Sequence, residues 1–122
     1  MVEMIRDTLR KKRDYEAERR FLHDRFNDHR YKPTVKQQEK LAYLDAQLAC
    51  IETWLTLLTE DESFVTQRHL VDGVDIPRVT VEFRERWGDE FAKTERTIKT
   101  YQRRALEKIM RFEEMKRELM EE

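Results

Sequence analysis

The sequence predicts an all-α protein, and three observations carry that expectation. Charged residues make up 42% of the 122 positions while the net charge is only −1, against about 25% charged in an average soluble domain. Glycine and proline occur just twice each, too rarely for the many tight connections of β-rich or α/β folds. The apolar residues recur at spacings of three and four rather than two, which is the period of a helix face. An apolar content of 39% suffices for one modest core, and the twelve aromatic side chains argue against wholesale disorder.

Residues 2–30 contain no glycine or proline and place Ile5, Leu9, Tyr15, Phe21, Leu22 and Phe26 at helical spacings. The apolar stripe thins between Lys11 and Asp14. A helix of that length reaches roughly 40 Å, longer than a compact domain of this size needs, so it is expected to lie along a second long helix. Pro33 closes it, and Thr34 is placed to cap the next. Over 35–58 the residues Leu41, Leu44, Leu48, Ile51, Leu55 and Leu58 alternate three and four, the seam of a coiled-coil heptad, bordered by Ala42, Ala49, Cys50 and Trp54. Packing on the first helix as an antiparallel hairpin accounts for that seam; self-association accounts for it too.

Thr59-Glu60-Asp61-Glu62 has the form of a capping box. It opens a short helix that buries Phe64, Val65 and Leu70 or Val71 and ends at Asp72-Gly73, where glycine supplies a left-handed residue without strain. Asp75 caps the next helix and Pro77 occupies its first turn, where a missing N–H costs nothing. Ile76, Val79, Phe83 and Trp87 line one face of it, and Gly88 stops it. Thr94 caps a last helix over about 95–121, with Ile98, Tyr101 or Gln102, Ala105, Ile109, Phe112 and Leu119 along its seam. The chain thus divides into a helical hairpin over 1–58 and a second region over 59–122.

Several function classes find no support. His23 and His29 are six residues apart, His69 stands alone, and no second cysteine accompanies Cys50, so no zinc site is expected. Cys50 lies among Leu48, Ile51 and Trp54 and reads as a small core residue rather than a nucleophile. The isolated Gly73 and Gly88 form no phosphate-cradling loop. No carboxylate sits in an apolar setting suited to a tuned acid or base. Neither catalytic residues nor a cofactor are expected. Asp45, Gln47 and Glu52 interrupt the most apolar stretch, which excludes a membrane span there. The N-terminus lacks the apolar run of a signal peptide, and a reducing, cytoplasmic setting is the expectation.

The near-zero net charge conceals unlike parts. Residues 1–32 carry ten basic and seven acidic groups, 33–75 three and eight, 76–112 ten and six, and 113–122 two and five. Between Lys93 and Arg111, seven basic residues meet only Glu95 and Glu107, a concentration suited to phosphate. With Ile98, Ala105 and Ile109 set inward at about 100° per residue, the opposite face of the last helix presents Arg96, Thr100, Arg103 and Glu107, flanked by Lys99 and Arg104. A recognition helix meets base edges with its first turns. Arg96 and Arg103 are therefore candidates to read guanine, and Lys99, Arg104 and Lys108 to contact phosphate. Arg78 and Lys93 are further phosphate candidates.

Two short helices and a long one, with Gly73 and Asp75 between the first two, suggest a helix-turn-helix. From about Leu57 to Ile109 the chain resembles the fourth conserved region of sigma-70-type factors and the phage late-gene activators built on it, such as the ArpU and RinA groups. The likeness is carried by Leu57-Leu58, Glu62, Val65, Arg68-His69-Leu70, Val74-Asp75 and Val79. It continues through Thr94-Glu95-Arg96-Thr97-Ile98-Lys99 and Arg104-Ala105-Leu106-Glu107-Lys108-Ile109. Val79 and Ile98 stand farther apart than in the family, because 84–93 adds a helical turn and a longer connection. The resemblance implies a double-stranded DNA-binding transcription regulator of phage or prophage type that contacts RNA polymerase or promoter DNA. A helical protein-interaction module, dimerising through helix 35–58 or the C-terminal helix without binding DNA, is the alternative. Exposure of the Arg96, Thr100 and Arg103 face discriminates between them.

Overall fold

The computed structural model describes residues 1–121 and is all-helical, with no strand among them. In chain order the helices are α1 (Val2–Arg10), α2 (Lys12–Phe26), α3 (Val35–Thr56), α4 (Glu60–Thr66), α5 (Ile76–Trp87) and α6 (Glu95–Met120). A π-helical turn, Gln67–Val71, extends α4, and a single 3-10 turn, Asp89–Phe91, precedes α6. No helix of the described residues is long and apolar enough to cross a membrane.

Local chemistry sets the helix starts. The hydroxyls of Thr34, Thr59 and Thr94 accept from the backbone N–H groups of Gln37, Glu62 and Thr97, and the Asp75 carboxylate accepts from that of Arg78. Gln37 and Glu62 reach back to the cap residue's own N–H, completing two capping boxes.

Two departures from the expected elements have physical causes. The first segment is not one helix over 2–30. It breaks at Lys11, whose N–H is shared between the carbonyls of Asp7 and Thr8, and its second part ends at Phe26. Lys11 lies where the apolar stripe thins, so no buried side chain holds the ladder regular there. The short helix widens into the π turn, and both Leu70 and Val71 are buried instead of one of them. The extra residue in that turn lets two consecutive side chains face inward.

Two cores result. Ile5 and Leu9 of α1, Ile51 and Trp54 of α3, Leu70 and Val71 of the π turn, and Leu106 and Ile109 of α6 form the larger one. It joins residues on both sides of position 58. Val65, Val79, Phe83 and Ile98 form the smaller, edged by Phe64, Trp87 and Tyr101. α6 contributes to both and is their common spine. Its buried side chains are Ile98, Gln102, Ala105, Leu106 and Ile109. Leu119, expected in the seam, is 65% exposed because the last turns of α6 extend past the packed body.

α2 lies beside α3. The pairs Arg19–Asp45 and Lys40–Glu18 and the edge-on contact of Tyr15 with Tyr43 join them. Leu44 is fully buried on α3, whereas α2 buries none of its side chains completely.

Gly88 ends α5 with φ +94° and ψ 162°, a conformation open essentially only to glycine. Gly88→Ala is expected to cost about 1–3 kcal/mol although a Cβ would meet nothing within 4 Å. Urea denaturation measures it; an unchanged midpoint would show that the turn has relaxed to another geometry.

Candidate nucleic-acid interface

α4, α5 and the first half of α6 pack around the smaller core and hold the N-terminal turns of α6 in place. An ionic network fixes the connection between the π turn and α5. The Arg68 guanidinium donates through Nε and Nη2 to the two Glu82 oxygens at 2.8 and 2.9 Å, and through Nη1 to Asp72 at 2.8 Å. Arg13 of α2 adds a 2.9 Å pair to the same Asp72. Hydrogen bonding to Glu82, then to Asp72, raises the Arg68 pKa. Nδ1 of His69 lies 2.8 Å from the carbonyl of Val74 and closes the turn around Gly73.

A second pair ties α4 to α6. Glu62 is 5% exposed, and its Oε1 accepts from the Lys108 ammonium at 2.7 Å and from the Thr59 N–H at 2.9 Å. Burial works against the charged carboxylate, but these donors outweigh it and hold Glu62 below its ordinary pKa. Since the native value is the depressed one, the resulting stability is present at neutral pH and is lost as pH falls through the unfolded value, about 4.3, and then the native one. Glu82 and Glu113, lowered by hydrogen bonds from Arg68 and from Trp54 and Lys116, act in the same direction. The thermal midpoint is therefore expected to drop between about pH 7 and about pH 3, and Glu62→Gln to flatten that drop. A variant whose midpoint falls as steeply as the parent's would exclude Glu62 as a contributor.

The expected site residues separate by environment. Arg96, Lys99 and Arg104 are exposed and have no ion-pair partner among the described residues. Arg103 is 70% exposed and only 3.9 Å from Glu107. Thr100 is half-buried and donates its hydroxyl to the Arg96 carbonyl at 3.0 Å. Arg96, Thr100 and Arg103 lie on the side of α6 opposite its buried stripe, with Lys99 and Arg104 on its two flanks. Lys93, just before the Thr94 cap, is half-buried. Arg78 is exposed and loosely tethered to Glu82 at 3.4 Å.

Lys108, expected to contact phosphate, is paired within the fold. Its ammonium is committed to Glu62, so it joins helices instead of standing free for phosphate. Arg111, counted in the basic run but not among the expected site residues, is exposed on the same side as Arg96 and Arg104. Its place on the helix wheel, about 60° from Arg96 at 100° per residue, was the available signal. Comparison with protein families, curated proteins and solved structures found no match.

Proposed function

We propose that the protein is a sequence-specific double-stranded DNA-binding transcription regulator, with α1–α3 as a helical hairpin and α4–α6 as a helix-turn-helix of the sigma region 4 type. α6 is its recognition helix. The observation that carries the reading is the outward side of α6, where Arg96, Lys99, Arg103 and Arg104 stand exposed while Ile98, Ala105 and Ile109 anchor the other side. Burial of that side against α1–α3 would have argued for the interaction module.

In this reading Arg96 and Arg103 meet base edges in the major groove, and Lys99 and Arg104 hold the flanking phosphates with Lys93 and Arg78. The acidic stretch 33–75 confines the attraction to one side and leaves a surface for a protein partner such as RNA polymerase. A phage or prophage origin, and work in the bacterial cytoplasm, follow from the family resemblance. The test is selection of bound fragments from genomic DNA by the parent and by an Arg96/Arg103 double-alanine variant at two salt concentrations. A cognate duplex should bind with log affinity falling by about 0.9 per log unit of salt for each phosphate neutralised. A flat salt response would overturn the electrostatic basis of the proposal.

The alternative, a helical interaction module without DNA affinity, is favoured by one feature: Met115, Leu119 and Met120 are exposed along the last turns of α6. It expects no enrichment of any fragment by the parent.

A further inference from the structure

We infer that the outer face of α2 is a self-association surface whose partner is a second copy of this chain. Asp14, Ala17, Phe21 and Arg25 follow one another at spacings of three, four and four, so they form one stripe along the helix. All four are exposed. Phe21 stands 57% exposed, with the Arg25 guanidinium 5.2 Å from its ring centre. Beside it lies a hollow of about 420 Å³ lined by Ala17, Glu18, Phe21, Leu22 and Lys40. A protruding aromatic ring and a hollow over alanine, one helical turn apart, are a knob and a hole on the same surface.

The stripe is complementary to itself. Two copies of α2 crossing antiparallel midway between Arg19 and Arg20 set Asp14 against Arg25 and Glu18 against Phe21, each contact occurring twice. An isologous two-fold interface requires such reciprocal pairs. Asp14 has no ion-pair partner among the described residues, and Arg25 is held only by the Phe21 and Tyr31 rings. The crossing supplies both with opposite charge. The seam of α3 offers less, since Leu44 and Ile51 are already fully buried within the chain. One helix face lies at the small end of specific interfaces, below about 1,200 Å², so the association is concentration-dependent.

Sedimentation velocity over a concentration series tests this. The parent should pass from monomer to dimer. Asp14→Arg and Arg25→Asp, each placing like charges together, should weaken the dimer roughly tenfold or more. The two changes combined should restore it, because the pair is regenerated in reverse. Ala17→Arg, which fills the hollow at an exposed helix position, should abolish the dimer. Circular dichroism of each variant confirms that the monomer is folded. A parent that stays monomeric throughout overturns the inference, and so does a dimer that ignores the single charge reversals or is not restored by the double change.

Discussion

Alanine in place of Trp54 is expected to remove about 3–5 kcal/mol of folding stability, a large share of the roughly 5–15 kcal/mol that holds a domain of this size. Trp54 is 2% exposed and packs with Ile5, Leu9, Leu106 and Ile109, so its removal opens a cavity where α1, α3 and α6 meet. The loss has a polar part as well. The indole Nε1–H donates to Glu113 at 2.6 Å, and the half-buried carboxylate would be left with Lys116 at 3.1 Å and the Cys50 thiol. Trp54→Phe keeps most of the apolar contact and isolates that part, expected at roughly 1–3 kcal/mol. Urea denaturation measures both. In either variant Trp87 is the remaining tryptophan, and it sits at the edge of the smaller core. Its fluorescence is expected to change with the same midpoint as the helical signal, because α6 is common to both cores. Separate midpoints would show that the two regions unfold independently and that α6 does not couple them.

The other large effect concerns DNA. Loss of both Arg96 and Arg103 is expected to cost about 2–6 kcal/mol of binding free energy if the two act independently, roughly 30- to 20,000-fold in affinity. The loss should fall on the cognate sequence and leave non-specific binding nearly intact, since base contacts carry the sequence information. Lys99→Ala or Arg104→Ala should instead weaken all duplexes alike and reduce the salt slope by about one. Lys108→Ala should lower stability more than affinity, because it strands Glu62 in the α4–α6 interface. Fluorescence titration of a cognate and a scrambled duplex at several salt concentrations separates these outcomes. Equal losses on both duplexes for the Arg96/Arg103 variant would remove those residues from base readout.

The candidate surface on α6 was largely legible in the sequence. Ile98, Ala105 and Ile109 fix the rotation of the helix, and Arg96, Lys99, Arg103 and Arg104 then fall outside by the helical period alone. Lys108 is the exception, and the reason for its pairing is definite. The period places it at the border of the buried stripe, where exposure depends on what the neighbouring helix brings, and Glu62 lies 46 residues away in sequence. The Trp54–Glu113 hydrogen bond spans 59 residues and was equally invisible, as was the use of Arg68 to clamp Glu82.

By itself the sequence determined the all-α class, the caps at Thr34, Thr59, Asp75 and Thr94, the stop at Gly88 and the basic side of the last helix. Each of these is settled by interactions within about four residues, where backbone geometry leaves few alternatives. Only the tertiary structure decided that α1 shares a core with α6, that Leu70 and Val71 are both buried and that Lys108 is paired with Glu62. Those outcomes depend on which distant side chains compete for one buried volume or one charge, and no local period carries that information.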